Sequence, residues 1–309
     1  MVMALIALAT LGAAIGPIIW LACAQNIGPR HLLATAAAAA TVSGSALLAG
    51  PWVLLSTYLR PVIFVALGAV MLVTAYRIRH GATARRYTPD VGRRLAGRFG
   101  TAVVFGVVLA DAVLGRFTPR GTVDLGFPLE PGKYAVLQGG NSLLSNPFHQ
   151  WFVSDRHAVD IVKLNAFGNR ARSLVPAVLT DYASFDVAVR SPCTGTVEER
   201  QDDLPDHVPG AMDWQHPAGN HVLVRCGTVR ILLAHLRHGS LVVSSHERIV
   251  VGQPIGRIGN SGGTREPHLH IGAMAAEGGK SFPAASGVPI TVAGRYLRTN
   301  DVIDFTSIR

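Results

Sequence analysis

The chain is organised around one stretch near its C-terminal end, Gly259-Asn260-Ser261-Gly262-Gly263-Thr264-Arg265-Glu266-Pro267-His268-Leu269-His270. It begins as a turn rich in glycine and polar residues and ends in a His-x-His pair. Side chains two residues apart on an extended strand point to the same face. His268 and His270 are therefore predicted to project side by side, so that one can ligate a metal and the other can act on what the metal binds. A strand that carries two histidines without chemistry fits the same pattern, and the other motifs of the chain decide between the two.

Charge divides the 309 residues into two halves of different character. Residues 1–116 contain ten Arg and only two acidic residues, whereas residues 117–309 contain eighteen Lys and Arg against seventeen Asp and Glu. The excess positive charge thus lies in the apolar half, which argues against a nucleic-acid-binding surface on a folded polar domain. Arginines that flank apolar runs instead indicate membrane topology.

Apolar runs in residues 1–116 predict about four transmembrane helices. They extend over Val2–Ala24, about Leu32–Leu59, Pro61–Tyr76 and about Phe99–Leu114. The first run is longer than a signal-peptide core and lacks a basic start, so a retained span is favoured over a cleaved signal. The arginine-rich loop 77–98 is predicted to be cytoplasmic. The fourth run is short for a span, and a core or interfacial helix is its alternative; as a span, it carries the chain after Arg116 to the external face.

From residue 117 onward, short β-type runs alternate with turns rich in glycine and proline. The runs are Tyr134–Leu137, Ala158–Lys163, Val187–Val189, Gly195–Glu198, His221–Arg225, Arg230–Leu236, Pro254–Ile258 and Leu269–Gly272. This spacing predicts a mainly antiparallel β domain over residues 117–309, external to the cell membrane. Residues 282–309 are predicted to form closing strands or an appendage.

Two further positions in this half can carry chemistry. Asp160 is flanked by apolar strand residues, where a carboxylate is costly to bury unless it is paired or bound to a metal. His235 ends an apolar strand, and ten of the twelve histidines lie after residue 148. The chain has no Cys-x-x-Cys, so a thiolate zinc cluster is excluded. In an external domain Cys193 and Cys226 could form a disulfide; two unpaired buried thiols are the alternative.

Three motifs in this order resemble the lysostaphin/LytM-type zinc endopeptidases, which cut peptide cross-links of bacterial cell walls. The stretch 259–270 is similar to the closing signature of that family, including Glu-Pro before His-x-His. Ala234-His235-Leu236 resembles its Tyr/Ala-His-Leu segment, and Ala158-Val159-Asp160-Ile161 resembles its strand with the metal-binding aspartate. The resemblance covers roughly residues 130–280 and implies a β domain of the duplicated-hybrid-motif type.

What the resemblance implies is one zinc ion held by two histidines and an aspartate, with water in the open fourth position. Asp160 and His270 would be ligands. His235 and His268 would flank the metal-bound water, where they would orient it, take its proton or stabilise the oxyanion. Zinc suits such a site because it takes imidazole and carboxylate tetrahedrally and lowers the pKa of its water to about 7.

The first histidine ligand is where the sequence departs from the family. Its usual position, four residues before Asp160, is occupied by Arg156, which cannot ligate zinc. His157 has odd spacing from Asp160, which on a regular strand puts the two on opposite faces unless a bulge corrects the register. His149, from the preceding loop, is favoured because similar family members carry an Asn-x-His-like segment there. A third alternative is that the ligand is lost and the domain is inactive.

The resemblance implies a membrane-anchored zinc metalloendopeptidase that hydrolyses peptide bonds in peptidoglycan stems or cross-bridges. The expected partners are peptidoglycan peptide and the lipid bilayer, and the spans could couple the activity to a membrane regulator. The alternative is a degenerate domain of the same family that binds cell-wall peptide, or regulates another hydrolase, without cutting.

Overall fold

The computed structural model describes residues 2–24, 27–80, 91–276 and 284–305 of the protein. The chain divides into two compact units, Met1–Leu114 and Gly115–Arg309. The first unit is helical, and the second is built mostly of antiparallel strands. The predicted fold class, apolar N-terminal helices followed by a mainly antiparallel β domain, is therefore confirmed.

The helices of the first unit are α1 (Val2–Cys23), α2 (Pro29–Ala49), α3 (Leu59–Arg79) and α4 (Val91–Leu114). Each is long and apolar enough to cross a membrane, with a mean hydropathy between 1.6 and 2.3 in its most apolar window. The alanine-rich helix α2 packs against both α1 and α4. Small side chains of this kind allow helices to approach closely without a polar interface.

Two helix boundaries differ from the prediction. Helix α2 ends at Ala49 and not near Leu59, because the ring of Pro51 cannot continue a helix and restricts the residue before it. Helix α4 begins at Val91 and has 24 residues, so it is long enough to span a bilayer. Part of the predicted basic loop 77–98 is helical, because it includes the end of α3 and the start of α4. Its residues 81–90 lie outside the described residues.

Strands of the second unit form one large sheet and two small ones. Their bounds are β1 Val123–Leu125, β2 Gly132–Gln138, β3 Val159–Lys163, β4 Ala188–Arg190, β5 Gly195–Gln201, β6 Asn220–Cys226, β7 Val229–Leu236, β8 Arg248–Ile249, β9 Pro254–Arg257, β10 Leu269–Ala275, β11 Gly287–Val288, β12 Ile290–Val292 and β13 Val302–Phe305. The large sheet has the order β13-β2-β3-β10-β7-β6-β5-β8, with β11 also paired to β10. Its pairings are antiparallel, β4 pairs with β9, and β1 pairs in parallel with β12.

The strand order places the His-x-His strand in the middle of the sheet. Strand β10 lies between β3 and β7, with His270 opposite Asp160 on β3 and opposite Ala234 on β7. All eight residues of β7 are buried, as expected for a continuous apolar run in a sheet core. Three motifs that are far apart in the chain therefore meet at one end of three adjacent strands.

The C-terminal segment and the cysteines complete the second unit. Strands β12 and β13 pair with β1 and β2, so this part of residues 282–309 closes the domain and is not an appendage. Cys193 and Cys226 form a disulfide with a Cα–Cα distance of 6.3 Å, which lies within the usual range. The disulfide alternative is thus the one found.

Candidate metal centre

The buried carboxylate of Asp160 is the centre of the site. Asp160 is 3% exposed, and its Oδ1 lies 3.2 Å from His149 Nε2, 3.1 Å from His270 Nδ1 and 3.4 Å from His268 Nε2. Strand β3 presents this side chain to β10, because Asp160 and His270 are partners in the register. One carboxylate oxygen thus faces three imidazole nitrogens from different parts of the chain.

His149 comes from a short 3-10 turn, His149–Trp151, in the loop between β2 and β3. Its Nδ1 lies 3.1 Å from the carbonyl oxygen of Ala158. Because a carbonyl can only accept, Nδ1 carries a proton, and Nε2 is the nitrogen that faces Asp160 and offers its lone pair to a metal when the ring is neutral. His149 therefore presents the tautomer that a metal ligand needs.

Whereas His149 approaches Asp160 through Nε2, His270 does so through Nδ1. Its Nδ1 faces Asp160, and its Nε2 lies 3.8 Å from Oδ1 of Asp155, a buried carboxylate in the same loop as His149. Ligand atoms of His149, Asp160 and His270 all lie within 4.8 Å of one another, and the three side chains are buried. Among the described residues this is the group that could hold a metal ion.

His268 and His235 lie beside this group and are anchored in the same way. His268 Nδ1 donates to the carbonyl of Glu266 at 2.8 Å, and His235 Nδ1 donates to the carbonyl of Ser261 at 3.0 Å. Their ring centroids are 4.9 Å apart. His235 adopts a positive φ of 61°, an uncommon conformation for a residue with a side chain, at the end of β7. In both residues Nε2 is the nitrogen that remains free of the backbone.

His157 is not brought into this group. It is half-buried in the turn before β3, and its Nδ1 has no hydrogen-bond partner in the described part of the chain. The turn ends at Ala158, whose carbonyl is used by His149. Of the two alternatives for the first histidine, the loop residue His149 is the one that approaches Asp160.

Electrostatic interactions within the site oppose the effect of burial on the pKa at Asp160 and His270, and add to it at His235. Burial alone would raise the pKa of Asp160, but charges and hydrogen bonds of His149 and His268 hold it well below the ordinary value. Burial lowers the pKa of His270, yet the two nearby carboxylates of Asp155 and Asp160 raise it to about 10. Burial, and then His268 and His270, lower the pKa of His235 well below its ordinary value. The carboxylate is therefore ionised, and several nitrogens compete for one anionic partner.

The donor set fits zinc. Two imidazoles and one carboxylate, all buried, are ligands that zinc takes in sites with an open fourth position. Calcium and magnesium prefer oxygen ligands, and they would not use two imidazoles.

Two supporting contacts were not predicted from the sequence. Gln138 donates from Nε2 to Oδ2 of Asp160 at 3.3 Å and accepts the N–H of Phe148 at 3.2 Å, which links the aspartate to the loop of His149. Arg170 Nε lies 2.7 Å from Oε2 of Glu266, the glutamate of the Glu-Pro-His-Leu-His motif. Glu266 was visible in that motif, but its partner is 96 residues away in the chain, and nothing in the sequence marks Gln138.

One comparison with known proteins, that with family models, agrees with the motif analysis. The family model of peptidase family M23 matches residues 180–283, a range that contains His235, His268 and His270 but begins after Asp160. No curated protein matches the chain.

Solved structures similar to the chain include a zinc-containing peptidase from Vibrio cholerae, at 16% identity over 56% of this chain and 43% of that chain, with a TM-score of 0.33. The antimicrobial peptidase lysostaphin from Staphylococcus simulans is 20% identical over 34% of this chain and 41% of that chain, with a TM-score of 0.24. The chain thus spans less than half the length of either structure. The family predicted from the motifs is confirmed by the family model, and residues 180–283 form a peptidase family M23 domain.

Proposed function

We propose that this chain is a membrane-anchored zinc endopeptidase that hydrolyses peptide bonds in peptidoglycan stems or cross-bridges. The observation that carries the proposal is the buried group of His149, Asp160 and His270, with ligand atoms within 4.8 Å of one another. His235 and His268 beside this group supply the proton-transfer groups that amide hydrolysis needs. The family match over residues 180–283 supports the reaction class.

The three buried side chains would hold the metal through Nε2 of His149, the carboxylate of Asp160 and Nδ1 of His270. When bound, zinc lowers the pKa of a coordinated water to about 7 and polarises a carbonyl group. Gln138 holds the second oxygen of Asp160, so that Oδ1 stays directed to the histidines.

His235 and His268 would act on the substrate through Nε2, because each donates its Nδ1 proton to a backbone carbonyl. His235 is neutral at pH 7, since burial keeps its pKa low, and it can therefore accept a proton from the nucleophile. Burial lowers the pKa of His268, but Asp160 raises it above the ordinary value. A protonated His268 can donate a hydrogen bond to the carbonyl oxygen as negative charge develops there.

Membrane anchoring with an external second unit is part of the proposal. The four apolar helices support the anchoring. Arg77 and Arg79 in the last turn of α3 support a cytoplasmic α3–α4 connection, which directs the end of α4 outward. The disulfide between Cys193 and Cys226 supports the same topology, because cytosolic thiols are usually kept reduced.

The alternative, a domain that binds cell-wall peptide or regulates another hydrolase without cutting, rests on Arg156 at the usual ligand position. His149 argues against it, because this residue approaches Asp160 from the loop with a suitable tautomer. Catalysis and binding differ in their products, so one set of variants separates them.

The test uses the full chain purified in detergent, in which zinc is measured by elemental analysis and peptidoglycan digests are analysed by mass spectrometry. We expect about one zinc per chain in the parent and in His157→Ala, and its loss in His149→Ala. New peptide termini in the parent digest, absent from His235→Ala, would support hydrolysis. A folded parent without zinc would refute the peptidase proposal, and zinc without cleavage would favour the binding alternative.

A further inference from the structure

A buried acid that belongs to none of the motifs lies on the far side of His270. Asp155 is 7% exposed, and its Oδ1 has no hydrogen-bond partner in the described part of the chain. That oxygen lies 3.8 Å from Nε2 of His270. An unpaired buried carboxylate oxygen is costly, so its direction toward a ring nitrogen requires an explanation.

The tautomer of His270 explains why this oxygen is directed toward the ring. Its Nδ1 faces Asp160, so a neutral His270 that binds a metal through Nδ1 must carry its proton on Nε2. That N–H points toward Asp155, and an approach of about 1 Å converts the present distance into a hydrogen bond. The two ligand histidines would then be held in the same way, because Nδ1 of His149, the nitrogen that does not face Asp160, donates to the carbonyl of Ala158.

Two features of the surrounding chain hold this arrangement. Asp155 accepts the N–H of Ala158 through its carbonyl at 2.7 Å, which fixes it in the turn before β3. Gly272 lies two residues after His270 on the same face of β10. A Cβ at Gly272 would be 3.6 Å from His270 Nε2 and 3.9 Å from Asp155 Oδ1. Because glycine has no side chain, the gap between the ring and the carboxylate stays open.

We propose that Asp155 is a positioning residue for the metal centre: its Oδ1 accepts the Nε2–H of His270 and orients Nδ1 toward the metal. The inference rests on the proposed zinc site. The loop between β2 and β3 would thus supply both a ligand, His149, and the partner of the opposite ligand. This double contribution would stand in for the histidine that Arg156 replaces.

The experiment measures zinc affinity of the full chain in detergent by competition with a chromogenic chelator. Removal of an outer partner of a metal-bound histidine typically weakens binding by about 10- to 100-fold, which is the loss we expect for Asp155→Ala. Asp155→Asn keeps an acceptor oxygen and should lose less. Ser154→Ala is the matched control, because Ser154 is the buried neighbour and its Oγ also has no hydrogen-bond partner in the described part of the chain; its affinity should equal that of the parent.

Two further measurements make the outcome specific. The visible spectrum of the cobalt-substituted protein should change in Asp155→Ala and stay unchanged in Ser154→Ala, since it reports ligand geometry. The unfolding temperature of each metal-free variant identifies a variant that fails to fold, in which case Asp155→Asn carries the test. Parental affinity in a folded Asp155→Ala, or an equal loss in Ser154→Ala, would overturn the inference. A parent that binds no zinc would overturn the proposed function as well, whereas a zinc site that depends on Asp155 in a chain without peptidase activity would leave the inference standing.

Discussion

Glu266, the glutamate of the Glu-Pro-His-Leu-His motif, is expected to stabilise the fold of the second unit. Arg170 is 2% exposed, its Nε lies 2.7 Å from Oε2 of Glu266, and its guanidinium lies 5.4 Å from the ring centre of Tyr182. Replacement Glu266→Gln keeps the shape but leaves the arginine charge without a counter-ion. Removing one partner of a buried ion pair costs about 3–5 kcal/mol. The contact with Tyr182 remains, so we expect about 3 kcal/mol, at the lower end of that range.

The loss should be largely absent when both partners are replaced together. In Arg170→Met with Glu266→Leu no buried charge remains, and apolar replacements of buried ion pairs are often neutral or stabilising. The exposed pair of Lys133 and Asp304, with side chains 54% and 51% exposed, is the matched control. Asp304→Asn should change the free energy of unfolding by less than about 1 kcal/mol.

Pulse proteolysis of the full chain across a urea series, read through a C-terminal tag, reports unfolding of the second unit. With an m-value of about 2 kcal/mol/M, Glu266→Gln should lower the urea midpoint by about 1.5 M. A midpoint within about 0.25 M of the parent, equivalent to about 0.5 kcal/mol, would refute the reasoning. So would a double variant as unstable as Glu266→Gln, because the loss would then not come from the unpaired charge.

Three more predictions concern the protons of the site and the disulfide. In the metal-free protein, Asp155 and Asp160 outweigh burial and raise the pKa of His270 from 6.5 to about 10. Zinc must displace this proton at pH 7, so calorimetry in buffers of different ionisation enthalpy should show release of about one proton, and affinity should rise with pH; affinity independent of pH between 6 and 8 would contradict this. The raised pKa also stabilises the metal-free fold fully below pH 6.5 and progressively less as pH rises toward 10. The disulfide joins cysteines 33 residues apart, and Cys193→Ser with Cys226→Ser should destabilise the second unit by about 4 kcal/mol in pulse proteolysis, whereas an unchanged midpoint would show that the bond adds no stability.

Local patterns were sufficient for the general architecture. Length and hydropathy predict membrane-spanning helices, because they are properties of each segment alone. Short runs between turns predicted the main strands for the same reason, and β7 is an example in which the predicted run and the strand differ by one residue. The end of α2 at Ala49 was also readable from Gly50-Pro51 and was missed, because the apolar run continues past it.

The candidate site also combines residues that the sequence predicted with contacts that only the structure shows. From the sequence alone, His235, His268, His270 and Asp160 were predicted to belong to one site, because the three motifs that carry them resemble those of one family and each lies within a single strand and its flanking turn. The resemblance favoured His149 over His157, but only the tertiary structure brought His149 to Asp160, since that contact depends on a loop conformation fixed by the carbonyl of Ala158. The other contacts of the site are the proposed one of Asp155 with His270 and those of Gln138 with Asp160 and Arg170 with Glu266. They join residues between 22 and 115 positions apart (270 − 155 for the most distant pair). Strand pairing decides the contact of Gln138 with Asp160, whereas loop conformation decides the other two. No periodicity along the chain encodes either one.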